Sequence, residues 1–269
     1  MIKTTSLLTA VLLLAGCAGG GQINTSRSQQ QLNDLQDRAQ HSADRGFYDN
    51  AGKLLQEALR LTSSLDDRQG QAAVLLQQAR LARQQGKLAE AGQALTRALP
   101  LAAKSRLYAD AAQEKALQEL AAGRIDEAIQ WARTAQQQEQ GNLQARRLNL
   151  LARLTLLQKD HQQAGQLAEQ ALRHASAESL MAERANALRI LGTVRGKQQR
   201  LTEGEQHLQQ ALQLDKQLEL PLRIADDLEA LAELARLRGD LQSQQEYSQR
   251  AQTVRANILQ ARQPDNNQQ

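Results

Sequence analysis

The chain has 269 residues, a formal net charge of +4, 2% aromatic residues and three prolines. Leu, Ala, Gln and Arg dominate, a helix-forming composition that leaves little material for a sheet. So small a charge excess, despite a pI near 9.4, is no nucleic-acid footprint and reads as a solvated mixed-charge surface.

The first residues run MIKTTSLLTAVLLLAGCAGG. Lys3 supplies a positive start and Leu7 to Leu14 a short apolar run, too short to span a bilayer and typical of a targeting segment. The run ends in Leu14-Ala15-Gly16-Cys17, which resembles the lipobox of bacterial lipoproteins. That resemblance implies removal of residues 1–16 as a signal peptide. It also implies a thioether-linked diacylglycerol on Cys17, with an added N-acyl chain such as palmitate. Chains of this kind anchor durably, at ~0.8 kcal/mol per buried methylene. Ala18, where inner-membrane retention uses Asp, then points to the periplasmic face of the outer membrane. Cys17 is the only cysteine, so no internal disulfide is available and packing alone must hold the exported domain. Residues 17–28 read as the acylated cysteine and a flexible tether of small and polar residues.

From there a ladder of small residues recurs. Ala39 and Ala58, Ala79 and Ala98, Ala116 and Ala135, Ala152 and Ala171, Gly192 and Ala211, and Ala232 and Ala251 are each 19 positions apart. The first member of each pair advances by 40, 37, 36, 40 and 40 residues. Self-similarity at this period signals a solenoid of helical hairpins. Leu35, Leu75, Leu148, Leu188 and Leu228 lie four residues before the first small residue, on the same helix face, with Ala112 in the third unit. Seven residues after it stands Gly46, Gly86, Gly123 or Gly239, with Lys159 and Gln199 in units four and five. Glycine there suits a left-handed helix terminator. The second helix of each hairpin should start two residues later, at Tyr48, Leu88, Ile125, His161, Leu201 and Leu241. Pro221 fits the first turn of the last hairpin, and Pro100 should end or bend a second helix.

Gly86-Lys87-Leu88-Ala89-Glu90-Ala91 with Ala98-Leu99, Gly123-Arg124-Ile125-Asp126-Glu127-Ala128 with Ala135, and Leu191-Gly192 resemble the tetratricopeptide repeat. The resemblance implies an all-α, right-handed superhelix of about six hairpins over residues 29–262, with repeats longer than the usual 34 residues. Residues 263–269 should form a disordered tail.

Catalytic motifs are missing from the sequence. It contains no phosphate-binding Gly-rich loop and no His-Glu-x-x-His, and the histidines at 41, 161, 174 and 207 lack partners at metal-ligand spacing. The expectation is therefore no enzyme activity, no cofactor and no metal. His161 and the sole tryptophan, Trp131, are expected to pack rather than to bind. The tetratricopeptide resemblance implies that residues three before and one after the first ladder residue line a concave groove. These are Gln36 and Gln40, Leu76 and Arg80, Gln113 and Leu117, Asn149 and Arg153, Arg189 and Thr193, and Glu229 and Glu233. Arg80, Gln113, Asn149, Arg153, Arg189, Glu229 and Glu233 are the candidate partner-binding residues. Asn149, Arg153 and Arg189 form a set that could hold a carboxylate or an acidic extended segment, or could equally be solvated helix residues. The expected role is a lipid-anchored scaffold or adaptor for other envelope proteins in an envelope, secretion or pilus complex, without nucleic acid. An envelope glycan or small-ligand accessory to a cell-wall enzyme is the alternative, and self-association through the terminal hairpins a third.

Overall fold

Helix-forming residues interrupted at fixed intervals by left-handed turns give a stack of helical hairpins. A computed structural model describes residues 27–139 and 141–261. Among these, the first hairpin pairs α1 (Arg27–Asp44) with α2 (Tyr48–Ser64), and the second α3 (Arg68–Gln84) with α4 (Leu88–Ala102). The third pairs α5 (Leu107–Ala121) with α6 (Ile125–Gln137), and the fourth α7 (Gln144–Leu157) with α8 (His161–His174). The fifth pairs α9 (Met181–Lys197) with α10 (Leu201–Gln217), and the sixth α11 (Pro221–Arg238) with α12 (Leu241–Ala261). No strand occurs among the described residues. The expected signal peptide at residues 1–16, Cys17 and the expected tail 263–269 lie outside the described residues. Of the expected tether, only Arg27 and Ser28 are described, and they already belong to α1.

Every expected second-helix start coincides with the observed one. The turn residues share a positive φ whether or not they are glycine: Gly46 at 82°, Lys159 at 66° and Gln199 at 62°. Each turn closes by the same long backbone bond. Phe47 N–H donates to the Ser42 carbonyl at 2.8 Å, and Arg200 N–H to that of Arg195 at 2.9 Å. This is the six-to-one closure that satisfies otherwise orphaned helix-end carbonyls. Pro221 opens α11, where its missing N–H costs no helical bond. Pro100 sits in the last turn of α4, which ends at Ala102.

All twelve ladder residues are buried, with Ala58, Ala98, Ala116, Ala135, Ala152, Ala171 and Ala211 fully so. The leucines that precede them form the core clusters with neighbouring hairpins; Leu75 and Leu228 are 1% and 2% exposed. Burying each such side chain contributes roughly 1.5–3 kcal/mol, so the core is a column of small contacts between neighbours. Trp131 on α6 is half-buried and packs against the core cluster that joins Ala128, Ile129 and Ala132 of α6 to Ala116 of α5 and to Leu151 and Leu154 of α7. The shorter register steps of 37 and 36 have a direct cause, since α4 to α7 run only 13 to 15 residues. Among the described residues no helix is long and apolar enough to cross a membrane.

Candidate partner-binding groove

The first helices of hairpins three to six, α5, α7, α9 and α11, lie side by side and enclose a depression of about 550 Å³. Its lining comes from those four helices alone. Five of the seven expected site residues meet there: Gln113, Asn149, Arg153, Arg189 and Glu229. Leu117, Leu150, Leu156 and Ile190 supply an apolar floor.

The individual side chains are used differently. Gln113 is buried and accepts from Arg147 Nη1 at 2.6 Å. Asn149 is also buried; its Nδ2 donates to the backbone carbonyl of Glu183 at 2.8 Å and to Glu183 Oε2 at 3.0 Å. The Oδ1 of Asn149 has no hydrogen-bond partner. Arg189 turns inward, donating from Nε to Asp227 Oδ1 at 2.5 Å, from Nη1 to Asn186 Oδ1 at 3.0 Å and from Nη2 to Asp215. It is therefore saturated by two buried carboxylates, and the expected trio of Asn149, Arg153 and Arg189 does not act as one open set. Glu229 pairs with Arg255 of α12 at 2.9 Å, and Asp226 pairs with the same guanidinium at 2.9 Å.

Arg153 differs from all of these, because it makes no ion pair or hydrogen bond with any described residue. Its side chain remains water-accessible, yet the walls crowd it. Desolvation first, and then the guanidinium of Arg223, pull its pKa below the ordinary arginine value, with Asp226 opposing. It remains a cation at neutral pH.

Arg80 and Glu233 lie outside this depression. Arg80 sits by Ala39 and Gln40 and donates twice to Glu114 Oε1, at 2.9 and 2.7 Å. Glu233 is held by Lys197 at 2.9 Å and Arg236 at 2.6 Å, and these hydrogen bonds take its carboxyl down to about 2.

Arg146, Asn186, Arg223 and Asp226 line the depression without having been anticipated. A signal for them was in the ladder. Arg146, Asn186 and Asp226 each stand six residues before a first-helix ladder residue, one helical turn beyond the rows considered. Arg223 lies one turn further still, nine residues before Ala232, as Glu183 of the same lining stands nine before Gly192. Arg147, 1% exposed, was missed because its partners are remote: Asp110 at 2.6 Å, Glu139 at 3.0 Å and Gln113.

The family model of the tetratricopeptide repeat matches residues 31–104, which span the first two hairpins. Over those residues the chain is similar to that family, and α5 to α12 continue the same hairpin architecture. No curated protein matches the sequence. Among solved structures the chain is similar to PilW, a widely conserved type IV pilus biogenesis factor, with a TM-score of 0.64 at 15% identity over 86% of this chain and 99% of that one. PilF of Pseudomonas aeruginosa gives a TM-score of 0.63 at 16% identity, covering 88% of this chain and 99% of its own. BtubC from P. vanneervenii gives 0.62 at 18% identity, covering 91% and 96%. At such identities the likeness bears on the fold.

Proposed function

We propose that the chain is a non-catalytic scaffold of the bacterial cell envelope that grips another protein along its concave face. The observation that carries this reading is the depression over α5, α7, α9 and α11, with an apolar floor and with Arg153 left unpaired among the described residues. Tetratricopeptide arrays expose such faces because stacked repeats build extended binding surfaces rather than enclosed reaction chambers. No aromatic ring lines the depression, so a sugar would find no stacking platform there. This favours a protein partner over the glycan alternative.

In this reading Cys17 carries the lipid and fixes the repeats at the periplasmic face of the outer membrane. The lipobox resemblance supports the anchor. The fold shared with PilW, itself a pilus biogenesis factor, is in keeping with an assembly role in the envelope. The anchor is tested by labelling cells with a palmitate analogue. Incorporation into the native chain and its loss in Cys17→Ala, together with release from outer-membrane fractions, is the expected result. Equal labelling of both chains, or none of either, would remove the anchor from the account. The scaffold role is tested by photocrosslinking in the native envelope from Leu117, Arg153 and Thr193, which should all capture one common protein.

A further inference from the structure

On one face of α7, Arg146, Leu150 and Arg153 follow one another at intervals of four and three residues, and all three line the depression. This makes a basic, apolar, basic stripe two turns long. Arg146 and Arg153 make no ion pair with any described carboxylate, whereas the acids on the same walls are already held. Arg255 holds Asp226 and Glu229, while Asn149 and Asn186 hold Glu183. Arg146 and Arg153 are therefore open, while Arg189 and the acids of the depression are engaged. A third guanidinium, Arg223, contacts only the amide oxygen of Asn186 on this side, at 2.9 Å.

We propose that the occupant of the depression is an extended acidic segment of a partner protein, with two carboxylates flanking an aliphatic side chain in the pattern Glu-x-Leu-x-Glu. The proposal rests on the scaffold reading above and deepens it. Seven residues of α-helix span about 10.5 Å, which separates the two guanidinium stems on α7. In an extended chain, residues four apart share a face and lie about 13 Å apart, within reach of two flexible arginines. The residue midway between them falls on that same face, over Leu150, with Leu117 and Ile190 on either side. A guanidinium pairs with a carboxylate through two parallel hydrogen bonds, so both ends of the segment would be fixed. Desolvation and then the guanidinium of Arg223 lower the affinity of Arg153 for its proton, and an incoming negative charge would offset that repulsion.

The test uses the full chain in detergent and a fluorescein-labelled peptide, Gly-Glu-Ser-Leu-Ser-Glu-Gly, read by fluorescence anisotropy at low salt. Saturable binding is expected, weakening steeply with added salt. Binding should fall at least about tenfold for the Arg146→Glu/Arg153→Glu chain, and likewise when both peptide glutamates become glutamine. Arg173→Glu, on the exposed side of α8, should leave it unchanged. A peptide with lysines in place of glutamates should bind the charge-reversed chain better than the native one, which also shows that the variant is folded. Failure of the native chain to bind, equal binding of the glutamine peptide, or unaltered binding by the doubly reversed chain would each overturn the proposal. A chain that ignores this peptide yet still crosslinks to a protein from groove positions keeps the scaffold reading and loses only the acidic occupant.

Discussion

Arg189 on α9 binds Asp227 on α11 at 2.5 Å, while the same guanidinium also holds Asp215 on α10. One cation thus balances two buried carboxylates at the junction of the last two hairpins. Asp227 is fully buried and Asp215 is 1% exposed. Burial is the main cause that raises Asp227 to about 7, with Arg189 opposing and the charge of Asp215 adding to the rise. Asp215 is raised as well, again mainly by burial.

A pH dependence follows from this cluster. A carboxyl that holds its proton more tightly when folded than at its ordinary 3.8 stabilises the fold fully below about pH 4. That contribution is lost as pH rises through about 7. His207, lowered from 6.5 mainly by burial, gives a slope of the opposite sign, so the comparison must be between two chains. Asp227→Asn should gain urea resistance relative to the native chain between pH 5 and pH 8. A difference that stays constant over that interval would contradict the burial-raised titration of Asp227.

Arg147 makes a second cross-hairpin clamp. Its three acceptors belong to α5 and to the segment before α7, and Glu139 is itself nearly buried. Arg147→Met should cost about 3–5 kcal/mol in urea unfolding, since it strands buried acceptors. Arg147→Lys should recover only part of this loss, because an ammonium lacks the planar fork. A methionine variant as stable as the native chain would show that the clamp is dispensable.

Gly192 is the one ladder position where even alanine does not fit. A Cβ there would lie 2.6 Å from Leu208 Cγ and 2.8 Å from the carbonyl oxygen of Gly204, which is backbone and cannot step aside. Gly192→Ala should destabilise by about 1–3 kcal/mol through overpacking of α9 on α10. Gly52 in α2 meets nothing within 4 Å of such an atom. Gly52→Ala should therefore stabilise by up to about 1 kcal/mol through helix propensity. Thermal unfolding of the two variants side by side checks both signs.

Much of the architecture could be read from single residues, for reasons visible in these examples. A helix terminator must take a left-handed conformation, and the ladder counts positions from it, so even Lys159 and Gln199 could be placed without a glycine. The turns between hairpins were harder. Asp66, Lys104 and Glu219 adopt the same positive φ with nothing in their type to announce it. The tetratricopeptide resemblance implied which rows of the ladder face the groove, and five of seven candidates do line it. Period does not tell which of them is free. Arg189 looked open from its own helix, but its partners lie 26 and 38 residues away on two other helices. Arg80 and Glu233 were withdrawn in the same manner by Glu114 and Lys197, each from a neighbouring hairpin.

The central claim, that the concave face is what grips a partner, is tested most directly by a photoreactive residue placed in the native envelope. It would replace Leu117, Arg153 or Thr193 in the groove, and Arg60 or Arg173 on exposed faces of second helices. The account predicts one common crosslinked protein from all three groove positions, lost on competition with an excess of the unlabelled chain, and none from the other two. Equal crosslinking from Arg60 and Arg173, or silence from the groove with capture from those faces, would contradict it.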